Sequence, residues 1–129
     1  MAINILIVDD STVMRAIILK TMQMSGIQIG EIYQAANGQE GLETVKDNWI
    51  DIVIADINMP VMNGEEMIDR MQDNLYTRDI PVVVVSTEGS QKRIERLKDK
   101  GVTFISKPFT PELVRDTIKT VTGMVEDNE

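Results

Sequence analysis

The 129-residue chain contains no cysteine and no histidine. Without cysteine it can form no disulfide, no thiolate metal site and no cysteine nucleophile. Without histidine it lacks the most common general base and the usual ligand of transition metals. Its chemistry therefore depends on carboxylates, hydroxyls and the cations of lysine and arginine.

Long apolar runs and an excess of positive charge are also missing. The longest apolar stretches, such as Ile5 to Val8 and Val82 to Val85, are far too short to span a bilayer, and the first residues lack the features of a signal peptide. The formal net charge is -8, which disfavours unaided binding of nucleic acid because phosphate neutralisation provides most of that affinity. We expect a cytoplasmic protein with no membrane insertion and no direct nucleic-acid partner.

Short β-branched runs alternate with longer segments of helical spacing. Three of the runs (ILIV, IVIA and VVVV) are apolar without alternation, as in central strands of a parallel sheet covered on both faces. Five alternations of strand and helix predict one open α/β sheet with helices on both sides. The predicted strands are Ile3–Val8, Glu31–Ala35, Asp51–Ala55, Ile80–Val85 and Val102–Ile105. The predicted helices are Thr12–Ser25, Gln39–Lys46, Glu65–Gln72, Gln91–Lys100 and Pro111–Thr122.

Polar residues follow the predicted strands where each strand ends. Asp9 and Asp10 follow the first strand, Asp56 the third, Ser86 the fourth and Lys107 the fifth. Because the carboxyl ends of parallel strands share one edge, where open α/β sheets bind ligands, we expect these residues to converge. Two carboxylates about 4 Å apart repel by roughly 4 kcal/mol at an effective dielectric near 20, so the cluster favours a bound cation. An all-oxygen ligand set suits Mg²⁺, with Mn²⁺ as an alternative.

The same residues suggest a reaction. A carboxylate can act as a nucleophile and form an aspartyl-phosphate, while a metal ion and a lysine stabilise the transferring group. The residues alone thus suggest metal-assisted phosphoryl transfer onto an aspartate.

Five segments, taken in order, make the chain resemble the receiver domain of bacterial response regulators. They are ILIVDDS, ANGQEGLE, DIVIADINMPVMNG, VVVVSTEGS and FISKPF, and the likeness runs from Ile3 to Val121. The resemblance implies a flavodoxin-like, doubly wound (βα)5 fold whose five-stranded parallel sheet has the order 2-1-3-4-5. It also implies a receiver domain over residues 1–122, followed by a short acidic tail over residues 123–129.

The resemblance assigns a role to each residue of the expected site. Asp56 is the expected phosphoacceptor and also a metal ligand. Asp10 is expected to bind Mg²⁺ directly, Asp9 mostly through water, and Asn58 through its backbone carbonyl.

Four more positions match residues that stabilise or report the phosphorylated state in this family. Lys107 is expected to pair with the phosphoryl group, and the Ser86 hydroxyl to move into a hydrogen bond with it. The Lys107–Pro108 bond is expected to be cis, an isomer that is largely confined to bonds before proline. Phe104 matches the aromatic switch residue, although plain core packing would also explain a phenylalanine there.

The lifetime of the phosphorylated form is expected to depend on residues at the mouth of the site. Asn58 and Glu88 resemble the polar pair of short-lived chemotaxis regulators. Thr87 replaces the small residue that the family usually has, and its methyl group is expected to crowd the phosphoryl group.

The fourth predicted helix is basic on an otherwise acidic protein. Its cations at Lys92, Arg93, Arg96 and Lys100 indicate either a solvated surface or a docking face for a protein target. The resemblance favours docking, because this family uses the fourth helix, fifth strand and fifth helix as its output surface. Arg93 and Lys100 are expected to lie away from the strand-end pocket.

The leading hypothesis is a two-component signalling switch of the chemotaxis type. A sensor histidine kinase would phosphorylate Asp56, and the altered surface would bind a protein target. On this view the domain is regulatory, and its only reactions are its own phosphorylation and dephosphorylation. Three alternatives stay open: a phosphohydrolase with an aspartate nucleophile, a receiver-shaped module that is not phosphorylated, and a receiver fragment of a larger regulator, such as one that binds DNA.

Overall fold

A computed structural model describes residues 2–86, 90–106 and 110–123 of the chain. The predictions for Thr87, Glu88, Lys107, Pro108 and the end of the acidic tail concern positions outside these described residues. In the part that the structure describes, no helix is both long and apolar enough to cross a membrane.

Five strands and five helices alternate along the chain. In order they are β1 (Ile3–Val8), α1 (Thr12–Gln23), β2 (Ile29–Ala35), α2 (Gly38–Asp47), β3 (Ile52–Ala55), α3 (Gly64–Gln72), β4 (Val82–Ser86), α4 (Gln91–Asp99), β5 (Thr103–Ser106) and α5 (Pro111–Thr122). The strands form one sheet in the order β2-β1-β3-β4-β5, and every neighbouring pair is parallel. The predicted fold and strand order are confirmed.

The central strands are buried on both faces, as their unbroken apolar runs predict. Alternate residues of a strand point to opposite faces, so Leu6 and Val8 pack into one core while Ile5 and Ile7 pack into the other. The first core lies against α2, α3 and α4, and the second lies against α1 and α5. Each core is closed by the apolar stripe of its helices, which fixes where the ends of the strands lie.

The helix starts are set by side chains that cap the first turn. Ser11, Asn37, Asn63, Ser90 and Thr110 each accept a hydrogen bond from the backbone N–H three residues later. These bonds satisfy donors that have no partner inside the helix. Capping therefore fixes the start of each helix directly after a loop at the carboxyl edge of the sheet.

Several element boundaries differ from the sequence prediction by one or two residues. Helix α1 ends at Gln23 because Ser25 turns its hydroxyl back onto the carbonyl of Met22 (2.6 Å) and Gly26 follows with φ +84°. Strand β2 begins at Ile29, two residues before the predicted start, since Ile3 pairs with Ile29 across a register shift. Strand β4 begins only after Pro81, which has no N–H for a sheet hydrogen bond.

Candidate functional site

Three carboxylates meet at the carboxyl ends of β1 and β3. These neighbouring strands pair Val8 with Ala55, so Asp9 and Asp56 emerge side by side; the Asp56 N–H donates to the Val8 carbonyl (2.9 Å). One carboxylate oxygen from each of Asp9, Asp10 and Asp56 lies within 4.8 Å of the others. The cluster sits where the strand order reverses between β1 and β3, the place where open α/β sheets bind ligands.

The three carboxylates differ in exposure and in what holds them. Asp9 is only 1% exposed, and its Oδ1 accepts from the Ser11 N–H (2.9 Å). Asp10 is exposed, and Asp56 is half-buried with its Oδ1 accepting from the Ile57 N–H (2.8 Å). The site therefore combines one anchored acid with two that solvent and ligands can reach.

The donor set fits a hard divalent cation. Three carboxylates within 4.8 Å repel one another, and a cation that binds oxygen relieves that repulsion. Among the residues that the structure describes, this is the one cluster of three or more metal-ligating side chains.

The segment between β3 and α3 packs tightly against the Asp56 backbone. The Gly64 N–H donates to the Ile57 carbonyl (2.8 Å), and a Cβ on Gly64 would collide with the carbonyl oxygen of Asp56. Pro60 and Met62 close a three-residue turn around Val61, with the Met62 N–H 2.7 Å from the Pro60 carbonyl oxygen. Close backbone packing thus fixes the position of Asp56 relative to Asp9 and Asp10.

Of two further predicted site residues, Ser86 lies at the same edge of the sheet, whereas Phe104 lies within β5, in register with Val84. Ser86 ends β4, is 2% exposed, and pairs in register with Ser106 of β5. Phe104 is half-buried against the core of α2, α3 and α4, which agrees with packing and does not test a switching role. The roles predicted for both residues stay predictions.

The basic residues of α4 contact the β3–α3 region. Arg96 donates from Nη2 to the Glu65 Oε1 (2.9 Å), and Lys100 Nζ lies 2.7 Å from the Asp69 Oδ1. The hydrogen bond from Arg96 lowers the pKa of Glu65 below its ordinary value, against the raising effect of desolvation. Lys92, the fourth predicted cation, is exposed at the start of α4.

The sequence predicted that Arg93 lies away from the pocket, but in the structure it lies beside it. Its Nη1 donates to the side-chain oxygen of Asn58 (3.0 Å), two residues after Asp56. The sequence prediction was wrong because spacing along α4 gives the shared face of its cations but not the direction in which that face points.

One further residue of the site was missed. Arg15 of α1 donates from Nη1 to the backbone carbonyl of Asp9 (2.6 Å) and from Nε to the side chain of Gln34 (3.0 Å). It thus links the loop that carries the buried acid to the end of β2. An arginine at the solvent side of a helix carries no sequence signal for such a contact.

The parallel five-stranded sheet with three acids at its switch point defines the class of this protein. The family model of the response regulator receiver domain matches residues 5–119, so the chain belongs to that family. Chemotaxis protein CheY1 of Helicobacter pylori is 32% identical over 122 residues, covering 93% of this chain and 97% of that protein. Chemotaxis protein CheY4 of Vibrio cholerae has a solved structure with a TM-score of 0.81 at 32% identity, covering 94% of this chain and 99% of that one. CheY of Borrelia burgdorferi, solved in a complex with CheX, BeF3 and Mg²⁺, has a TM-score of 0.82 at 29% identity. The match covers 92% of this chain and 88% of that one.

The family assignment fixes the general function. The chain is a phosphorylation-dependent switch of two-component signalling and a regulatory domain. The predicted recognition and function are confirmed at this level, and the phosphohydrolase alternative is not favoured.

Proposed function

We propose that Asp56 accepts the phosphoryl group and that Asp9, Asp10 and the backbone carbonyl of Asn58 hold Mg²⁺ beside it. The observation that carries this proposal is the carboxylate cluster within 4.8 Å at the switch point of the sheet. A structural relative, the Borrelia burgdorferi CheY, was solved with BeF3 and Mg²⁺, which supports the same use of the site here.

Each residue has a distinct part in the proposed reaction. Asp56 is held by one oxygen, Oδ1, through the Ile57 N–H, and we assign its Oδ2 as the nucleophile. The P–O bond to Asp56 forms as the P–N bond to the phosphohistidine of a sensor kinase breaks. Bound Mg²⁺ supplies neutralisation of the carboxylates and of the transferring group.

The remaining catalytic roles rest on the sequence match. Lys107 and Ser86 are assigned to the phosphoryl oxygens, and Phe104 to the conformational readout. Asn58, Thr87 and Glu88 are assigned to the lifetime of the phosphorylated form. Lys107, Thr87 and Glu88 lie outside the described residues, so only Asn58, Ser86 and Phe104 have positions that bear on these roles.

We assign target binding to the surface of α4, β5 and α5, in a cytoplasmic pathway of the chemotaxis type. The chemotaxis names of the similar proteins support the pathway, and the basic helix supports the surface. Arg93, Arg96 and Lys100 already contact the β3–α3 region, so a target that uses these cations must compete with those contacts.

The test is phosphorylation by a small donor. Wild-type protein incubated with acetyl phosphate and Mg²⁺ should gain one phosphoryl group in intact-mass spectrometry, and Asp56→Asn should gain none. Asp10→Ala should bind Mg²⁺ more weakly by calorimetric titration, because it removes an accessible ligand of the cluster.

Asp47 provides a matched control for both measurements. It is an exposed aspartate at the end of α2, outside the carboxylate cluster. Asp47→Asn should label normally, and Asp47→Ala should bind Mg²⁺ normally. Labelling of the Asp56→Asn protein at the wild-type level would contradict the assignment of the acceptor.

A further inference from the structure

Helix α4 and its C-cap residue Lys100 are joined to the β3–α3 region by polar contacts, which we call the α3–α4 seam. Arg93 binds the Asn58 side chain (3.0 Å), Arg96 binds Glu65 (2.9 Å from Nη2), and Lys100 binds Asp69 (2.7 Å). In addition, the Gln72 side chain donates to the carbonyl of Lys100 (2.5 Å).

The seam follows from complementary spacing on two helices. The cations lie three and four residues apart, so they share one face of α4. Glu65 and Asp69 lie four residues apart and share one face of α3. Asn58 lies before α3, in the loop that follows Asp56, and so connects the seam to that loop.

Apolar packing holds α4 less firmly than it holds the other helices. Leu97 is its one buried residue, and Ile94 is only half-buried. Helix α3, of the same length, buries Met67, Ile68 and Met71. Contacts of the seam therefore have a larger share in fixing the position of α4 than side-chain polar contacts usually have.

We propose that Arg93 couples occupancy of the phosphoacceptor pocket to the first turn of α4, by exchanging the Asn58 amide for the bound phosphoryl group. The proposal rests on the proposed function, because it needs Asp56 to be the acceptor. It assigns Arg93 a contact with the phosphoryl group after transfer, and no part in the chemical step.

The direction of the coupling follows from hydrogen-bond strength. A phosphoryl group on Asp56 brings a charge of about -1.5 to -2 and three acceptor oxygens. A guanidinium binds charged oxygens more strongly than a neutral amide oxygen, and its planar fork suits a phosphoryl group. Arg93, whose amide partner is two residues from Asp56, is drawn from the amide toward the new anion. The first turn of α4 then exchanges its hydrogen bond to Asn58 for a stronger one to the phosphoryl group, which holds this turn more firmly.

Backbone hydrogen exchange of α4 measures this coupling directly. The probe for the occupied pocket is Mg²⁺ with beryllofluoride, which imitates a phosphoryl group on the aspartate. In the wild type, exchange in the first turn of α4 should fall at least about fivefold on loading, the lower end of typical coupling between sites. Arg93→Ala should exchange faster in the unloaded state and show no fall on loading.

Three variants separate coupling from simple loosening of the helix. Arg96→Gln removes another seam contact, so it should loosen α4 but keep the fall in exchange on loading. Lys98→Ala, an exposed cation of the same helix, should behave as the wild type. Arg93→Lys keeps the charge without the fork and should restore part of the fall.

The outcomes distinguish this inference from the proposed function. An equal fall on loading in the wild type and in Arg93→Ala would overturn the role of Arg93, and so would normal Asp56 labelling without any response of α4 in the wild type. Absence of both labelling and beryllofluoride binding in the wild type would overturn the proposed function and this inference together. In the unloaded protein, Arg93→Ala and Asn58→Ala should change α4 exchange non-additively, whereas additive effects would show that the resting contact is absent.

Discussion

Replacing Gly64 by alanine is expected to disturb the stability of the fold and the acceptor site together. A Cβ at this position would collide with the carbonyl oxygen of Asp56 and lie 3.1 Å from the Cα of Ile57. All these atoms belong to the backbone, so no flexible side chain can move aside. The new methyl group can be accommodated only if the loop after Asp56 separates from the start of α3.

The magnitude follows from three terms. Overpacking costs about 1–3 kcal/mol, and a collision with backbone belongs at the upper end of that range. Loss of the hydrogen bond from the Gly64 N–H to the Ile57 carbonyl (2.8 Å) costs about 1 kcal/mol. The better helix propensity of alanine returns about 0.5–1 kcal/mol. The net loss in the free energy of unfolding is therefore about 3–3.5 kcal/mol, which lowers Tm by roughly 9–18 °C in a domain of this size.

Urea unfolding followed by circular dichroism measures this loss, and labelling by acetyl phosphate measures the effect on Asp56. The labelling is done at a urea concentration well below the unfolding midpoint of the variant. Under these conditions slower labelling reports a displaced acceptor and not an unfolded chain. Gly41→Ala is the matched control, because its Cβ would meet side-chain ends, the Sδ of Met67 (2.9 Å) and a methyl of Val8 (3.1 Å). A loss below about 0.5 kcal/mol for Gly64→Ala, the usual range of neutral surface changes, would refute the reasoning.

Two further predictions concern strain and pH. Val61 has φ +68° although it is β-branched and 81% exposed, so Val61→Asn should raise the free energy of unfolding by about 0.5–1 kcal/mol in urea titrations. Val13→Asn, at an exposed position of helix α1, should not raise the free energy of unfolding. An equal rise there would contradict the explanation by backbone strain at Val61. The pKa of Glu65 is lowered by its hydrogen bond from Arg96, so the ion pair stabilises the folded state above the ordinary carboxyl range and loses this effect as pH falls through the lowered value. Glu65→Gln should therefore flatten the loss of stability between neutral pH and about pH 3.5, whereas Glu95→Gln should leave the curve unchanged.

The fold was predictable because its signals are local. The unbroken apolar runs of β1, β3 and β4 indicate strands covered on both faces, and the structure buries all three. The ends of elements were less predictable, since they depend on tertiary contacts. Strand β2 is an example: it starts at Ile29 only because Ile3 is available as its partner across a register shift.

The carboxylate cluster was predictable for a topological reason. Once the strands are parallel, residues after β1 and β3 must emerge at the same edge, and Asp9, Asp10 and Asp56 do so within 4.8 Å. Contacts that depend on helix rotation could not be predicted in this way. Arg15 reaches the Asp9 carbonyl and Arg93 reaches Asn58, and neither spacing nor composition specifies the direction of those long side chains.

The α3–α4 seam changes what the basic character of α4 means for target binding. From sequence, the cations of this helix indicated either a solvated surface or a docking face for a protein target. In the structure, Glu65 and Asp69 already accept hydrogen bonds from Arg96 and Lys100, so an incoming carboxylate replaces an existing contact and gains less than it would from a solvated cation. A partner that requires these two cations must therefore break these two contacts while it binds. Affinity for such a partner then depends on how firmly the seam is closed.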